Sequence, residues 1–178
     1  MNAQHRPHLA LIGLMGAGKS TVGAAVAAPS NPRQIDLDRW IQNDTGRSIG
    51  VLFAEGGEES FRQAETDTLQ RVLQTEQPLV LSTGGGVLTR AENQQILKER
   101  THVVWLRATP ETLAQRVGDG TGRPLLSQGD PLTVLQELER QRRPDYQAAA
   151  EAIIDTDDRT LKSIVEEIMA LDLTGASQ

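Results

Sequence analysis

A chain of 178 residues has room for one domain with a substantial core, and its net charge of −6 argues against nonspecific binding to nucleic acid or an anionic membrane, whose charge the average surface would repel. With no cysteine there are no disulfides, thiolate metal sites or cysteine nucleophiles, and the three scattered histidines, His5, His8 and His102, do not suggest a metal cluster. No run reaches the apolar length of a membrane span and the start MNAQHRPH has no signal-peptide core, so a soluble cytoplasmic protein is expected, meeting any polyanionic ligand in a local basic pocket.

Short apolar runs alternate with stretches of helical spacing, which predicts an α/β fold on a largely parallel five-stranded sheet covered on both faces. The first run, His8–Ile12, leads into GLMGAGKS at 13–20, a complete G-x-x-x-x-G-K-[ST] phosphate loop, and then into a helix over Lys19–Ala27. Glycines there let successive backbone N–H groups curl toward phosphates, and the helix N-terminus adds its positive end. Gly16, Ala17, Gly18, Lys19, Ser20 and Thr21 are the candidate nucleotide contacts. Lys19 supplies a mobile charge for the β- and γ-phosphates, and the Ser20 hydroxyl is placed to ligate Mg²⁺. The motif implies a nucleotide without specifying the reaction.

A weaker strand around Gln34–Leu37 carries Asp36 and Asp38, two positions apart and on one face while the chain stays extended. One carboxylate can hold Mg²⁺ through water while the other orients or deprotonates an acceptor hydroxyl, although an isolated Asp-x-Asp is more often a solvated strand end or a helix cap. Residues 38–75 then carry helical pattern with no strand of their own, which predicts a substrate-binding subdomain at the ligand end of the sheet. Within its helix, Glu58–Gln74, Arg62 and Glu65 stand at i, i+3; as a functional pair, Glu65 aims the Arg62 fork at an acidic substrate, and otherwise the two are surface decoration.

The strand Leu79–Ser82 ends in three consecutive glycines, Gly84, Gly85 and Gly86, entropically costly residues that suggest a point where backbone and ligand touch. A helix over Arg90–Lys98, a strand over His102–Leu106 and a helix over Pro110–Val117 follow, the last announced by Thr109 and ending with Arg116. The Gly/Pro-rich segment 118–131 with Arg123 is expected to be a mobile lid, an ordinary surface loop being the plainer alternative. After it come a helix over Leu132–Ala149 containing RQRRPDY, a strand over Ala152–Asp155, and a helix over Thr160–Leu171 announced by Asp157 and Asp158.

In order, GLMGAGKSTVG, D-x-D, F-R-x-x-E, GGG, R-P-L-L and R-x-P-x-Y closely resemble shikimate kinase over about residues 8–170. The resemblance implies a P-loop fold like that of nucleoside monophosphate kinases, with a lid and a substrate-binding subdomain, and a monomer that transfers the ATP γ-phosphoryl group to the 3-hydroxyl of shikimate. It implies that Lys19 and Arg123 stabilise the transferring phosphate, that Ser20 and Asp36 hold Mg²⁺, and that Asp38 meets the ring hydroxyls and acts as base. Arg62 and Arg142 would clamp the shikimate carboxylate, with Arg143 an equally charged neighbour for the second position. Gly84, Gly85 and Gly86 would line the acceptor site, Phe53 and Phe61 border it, and Arg116 flank adenine. After Gly23 the chain departs from the family's usual basic residue and leucine-rich helix, reading AAVAAPSNP instead. The alternatives are another P-loop kinase such as one acting on gluconate or on a nucleoside monophosphate, and a non-catalytic nucleotide-binding relative.

Overall fold

The computed structural model describes residues 6–29, 32–118, 120, 125–126 and 129–171. Five parallel strands, β1 (His8–Ile12), β2 (Arg33–Asp36), β3 (Leu79–Ser82), β4 (Thr101–Arg107) and β5 (Ala152–Asp155), stand in the order β2-β3-β1-β4-β5. At the centre, Leu11 of β1 lies in register with Ser82 of β3 on one side and Val104 of β4 on the other. Helices cover both faces, so the three central strands read as continuous apolar runs; Ala10, Leu11, Ile12, Leu81, Val104 and Leu106 are sealed from solvent. The outer strands, RQID and AIID, keep exposed positions, and this explains the weak signal of β2 in the sequence.

The helices are α1 (Lys19–Ala27), α2 (Leu37–Thr45), α3 (Ile49–Val72), α4 (Ala91–Arg100), α5 (Pro110–Val117), α6 (Pro131–Ala149) and α7 (Leu161–Ala170), and Val87–Thr89 form a single 3-10 turn. One sequence expectation is corrected at β2. The Asp36 carboxylate accepts a hydrogen bond from Arg39 N at 3.1 Å and caps α2, so Leu37 and Asp38 are already helical and the two aspartates do not share a face of an extended strand. A second correction lies in α3, which starts at Ile49 and not at Glu58. Gly57, at φ 70°, interrupts it, and the glycines at 50, 56 and 57 hide the upstream half from a propensity reading.

Thr109 caps α5 as expected, accepting from Thr112 N, and Asp130 caps α6 in the same way, accepting from Thr133 N. The last helix is instead capped by Thr160, which accepts from Ser163 N at 3.2 Å. Asp157 turns the other way and accepts from the Thr109 backbone N at 3.1 Å and its hydroxyl at 3.0 Å, tying the segment after β5 to the start of α5. Pro144 lies inside α6, which continues to Ala149. Of the expected lid, Arg123 falls outside the described residues, as do 119, 121, 122, 124, 127 and 128.

Strand order locates the site. From β1 the chain runs outward to β2, whereas from β3 it crosses to β4 on the far side of β1, so the loops after these adjacent strands part and open a crevice at their C-terminal ends. The phosphate loop leaves β1 there and the triple glycine leaves β3.

Candidate active site

The phosphate loop is shaped by backbone conformations that only glycine adopts without strain. Gly16 and Gly18 hold φ of 83° and 90°, and a side chain on Gly16 would press on Val117 Cγ1 at 2.9 Å and on Leu113 O at 3.1 Å. α5 therefore packs flush against the loop. The Lys19 ammonium reaches back across the loop, donating to Gly13 O at 2.8 Å and Leu14 O at 2.9 Å, which holds it over the N–H groups at the start of α1. Ser82 ties this helix to β3 by donating to Lys19 O at 2.8 Å.

Ser20 and Asp36, assigned to metal from sequence, are in contact, the Ser20 hydroxyl donating to Asp36 Oδ2. No group of three or more His, Cys, Asp or Glu side chains able to hold a metal occurs among the described residues. A hydroxyl and one carboxylate beside a phosphate loop suit Mg²⁺, which usually keeps several waters and takes its remaining oxygens from substrate phosphates. The donor set therefore fits the ion.

Beside the phosphate loop lies a cavity of about 160 Å³, lined by Asp38, Phe53, Phe61, Arg62, Glu65, Gly84, Gly85, Gly86 and Arg142, with Met15, Ile49 and Leu125 at its apolar margins. An engineered apolar cavity of roughly this size takes one benzene. Phe61 is buried and stacks on Phe53 at 4.8 Å between centroids, forming an apolar wall; Arg62 lies over the Phe61 ring at 5.2 Å. Arg62 Nη1 donates to Glu65 Oε2 at 2.8 Å, and its Nε and Nη2 donate to Glu58 Oε1 at 3.3 and 3.1 Å. Two carboxylates thus fix the plane of the guanidinium.

The three glycines make room for this charge. A Cβ on Gly84 would stand 2.7 Å from Glu65 Oε1 and 3.0 Å from Asp38 Oδ1, one on Gly85 would stand 3.4 Å from Arg142 Nη1, and one on Gly86 would overlap the Arg62 guanidinium. Each glycine admits a different charged group to one cavity. None has a positive φ, so the missing side chain is what the site uses here, and not backbone freedom.

Three of these groups carry buried polar atoms with no hydrogen-bond partner among the described residues: Asp38 Oδ1, Glu65 Oε1 and Arg142 Nη1. Such atoms cost free energy when left unmatched, and in an active site they mark where ligand atoms belong. Burial raises the Asp38 carboxyl above its ordinary range, helped by Asp36 and opposed by Lys19 and Arg62. Glu65 is raised as well, again chiefly by burial, with Arg62 opposing.

Arg142 is buried and lines the cavity, while Arg143 is half exposed and paired with Glu139 at 2.5 Å, so only the first of the two arginines reaches the pocket. Arg116 donates to Thr156 O at 2.6 Å and Thr156 Oγ1 at 2.9 Å and reaches Gly16 O at 3.4 Å, bridging the phosphate loop to the segment after β5. Sequence reasoning gave Glu65 only an aiming role and missed its second oxygen, which faces the cavity. It gave no role to Glu58, nor to Tyr146, the last residue of the R-x-P-x-Y motif. The i, i+4 spacing of Glu58 to Arg62 was the available signal for the first, and the spacing of Arg142 to Tyr146 for the second.

Comparison with known proteins gives a consistent result. The family described as "Shikimate kinase" matches residues 15–172. A shikimate kinase of Symbiobacterium thermophilum is 43% identical over 164 residues, covering 91% of this chain and 94% of that protein. A shikimate kinase from Acinetobacter baumannii, solved in complex with shikimate, superposes with a TM-score of 0.91 at 34% identity, covering 98% of this chain and 97% of the other. A gluconokinase from Sinorhizobium meliloti superposes with a TM-score of 0.57 at 20% identity over 93% of this chain and 92% of its own, a likeness of fold alone.

Proposed function

Because the chain belongs to the shikimate kinase family, ATP-dependent phosphotransferases acting on a hydroxyl of shikimate, we propose that the cavity between the phosphate loop and the triple glycine binds shikimate and presents its 3-hydroxyl to the γ-phosphate of ATP. The observation that carries this reading is the trio of buried, unmatched polar atoms, Asp38 Oδ1, Glu65 Oε1 and Arg142 Nη1, around one small cavity with an aromatic wall. Two acceptors suit ring hydroxyls and a guanidinium suits a carboxylate. The regiochemistry is tested by phosphorus–proton correlation NMR of the product: phosphate coupled to the ring proton at carbon 3 is expected, and coupling at another carbon overturns the pose.

In this mechanism Arg62 and Arg142 hold the acceptor carboxylate and Asp38 Oδ1 takes the proton of the attacking hydroxyl. The 3-hydroxyl oxygen of the acceptor bonds to the γ-phosphorus in line as the bond to the β–γ bridging oxygen breaks, and ADP leaves. Lys19 neutralises charge on the transferring group, and Arg123 shares that role. Ser20 and Asp36 would hold Mg²⁺, which when bound would supply positive charge to offset that of the phosphates. Arg116 flanks the adenine, supported by its bridge from Gly16 to Thr156. Gly16, Ala17, Gly18 and Thr21 complete the nucleotide contacts. A monomer is the assembly state included in this reading, and the cytoplasm is the compartment this biosynthetic role suits. Residues 38–75 form the substrate-binding subdomain and 118–131 the lid.

Asp36→Asn is expected to raise the free Mg²⁺ needed for half-maximal rate about ten-fold, since it weakens a group that orients the ion; an unchanged Mg²⁺ titration removes Asp36 from the site. Asp38 supplies a pH prediction. Its folded pKa lies above the ordinary 3.8, so kcat/KM falls on acidification at a pH higher than an ordinary aspartate would impose. The same shift has a stability consequence of fixed sign. A raised folded pKa contributes stability that is present below the unfolded value and lost as pH rises through the folded one, so the ionised carboxylate destabilises the free enzyme at neutral pH. Asp38→Asn should therefore raise Tm at pH 7 while abolishing turnover, with the Tm gain shrinking at acid pH. A lower Tm at pH 7 contradicts this placement of Asp38.

A further inference from the structure

α6 carries Arg142 on one turn and Tyr146 on the next, and both side chains point at the same loop. Tyr146 is buried, its ring packs on Trp105 at 5.4 Å between centroids, and its hydroxyl donates to Gly85 O. The position of a Cβ on Gly85 lies 3.4 Å from Arg142 Nη1 and 3.5 Å from Gly13 O of the phosphate loop. Gly85 is thus the point where the acceptor clamp, the phosphate loop and α6 meet. Having no side chain, it cannot fix its own height in the site. Its neighbours are anchored within the loop, Gly84 O accepting from Val87 N at 3.2 Å and Gly86 O from Thr89 N at 3.0 Å, while the carbonyl of Gly85 between them accepts from the phenol.

We infer that Tyr146 is a positioning residue for the acceptor: its hydrogen bond to Gly85 sets the spacing between the glycine loop and Arg142, and with it the affinity for the acceptor carboxylate. This rests on the shikimate reading above. The phenol suits the task because it stays a neutral donor: burial pushes its pKa far up, with the charge of Arg142 opposing, so the bond persists across the working pH range. Leverage comes from the helix, since one rigid turn joins the group that holds the loop to the group that holds the ligand. The bond itself ends on Gly85 and involves no residue of the phosphate loop.

Tyr146→Phe removes the hydroxyl and keeps the ring on Trp105. The expected result is an acceptor KM raised about ten-fold, equivalent to about 1.4 kcal/mol, with the ATP KM within a factor of about two and kcat at saturating shikimate little changed. Combined with Arg142→Lys, the two effects should fall short of additive, because both act on one spacing. A wild-type acceptor KM, or equal losses for ATP and shikimate, overturns the inference. Should the phenylalanine variant fail to fold, Gly85→Ala disturbs the same spacing from the loop side with every hydrogen bond retained; it must show the same selective rise, and an unchanged acceptor KM overturns the link between Gly85 and Arg142 on which Tyr146 depends. Wild-type turnover that does not require shikimate would instead sink the underlying reading, so the two failures are distinguishable.

Discussion

Lys19→Ala is expected to fold, to retain measurable ATP binding, and to lose about 10³-fold in kcat, or about 4 kcal/mol of transition-state stabilisation. The ammonium is held over the phosphate loop by two carbonyls, Gly13 O and Leu14 O, at the mouth of the N–H cradle. Charge accumulates on the γ-phosphoryl oxygens and the bridging oxygen only as the bond breaks, so a cation fixed at that point acts more on the transition state than on bound ATP. Its loss therefore falls mainly on kcat, with the ATP KM shifting much less, while the glycine-shaped backbone of the loop survives. Steady-state kinetics with saturating Mg-ATP and shikimate make the check, and a kcat within ten-fold of wild type removes Lys19 from the chemical step.

Arg62→Ala should raise the acceptor KM about 100-fold while leaving the ATP KM close to wild type, because truncating one partner of a desolvated charge pair costs several kcal/mol. A second consequence separates this arginine from a surface one. Glu65 is sealed from solvent and Arg62 is its direct ion-pair partner, so the alanine variant leaves a buried carboxylate uncompensated and should lower stability by about 3 kcal/mol at neutral pH. Arg62→Lys restores charge without the planar fork. It should recover most of the stability and little of the acceptor affinity, since an ammonium cannot bond Glu58, Glu65 and a ligand carboxylate in one plane. Equal effects on ATP and acceptor, or a stable alanine variant with normal KM, would contradict the role of Arg62.

The parts of the fold legible in the sequence were those where local chemistry and global packing agree. β1, β3 and β5 follow their apolar runs to the residue, and α1 and α5 follow their caps and breakers, because nothing in the tertiary structure opposes those signals. Legibility failed where one side chain overrode a pattern. Asp36 reads locally as a strand residue and is also the cap that starts α2, which turns Asp38 into the first helical turn and changes how the two carboxylates approach each other. Asp157 reads locally as a cap for the next helix and is spent on Thr109, 48 positions away, a pairing no local rule contains.

The site was legible as a set of residues and not as an arrangement. Spacing suggested that Arg62 and Glu65 meet, and they do, but it could not say that Glu65 keeps a second oxygen for the cavity or that Glu58 holds the opposite edge of the guanidinium. The triple glycine was recognised as a place of close approach. What approaches is a ring of protein charges, Asp38 and Glu65 at Gly84, Arg142 at Gly85 and Arg62 at Gly86, which is long-range information that exists only once α2, α3 and α6 converge on β3. The choice between Arg142 and Arg143 likewise depends on which face of α6 turns inward, and burial decides it for Arg142.

Selection of shikimate as the phosphoryl acceptor by the cavity beside the phosphate loop can be read from ADP release from Mg-ATP with shikimate, with gluconate, with a nucleoside monophosphate and with no acceptor. Release that requires shikimate and stays at background with the other acceptors is the predicted result. Release with gluconate or a nucleotide, or equal release with no acceptor, would contradict the acceptor site drawn from Asp38, Arg62, Glu65 and Arg142 while leaving the phosphate loop intact.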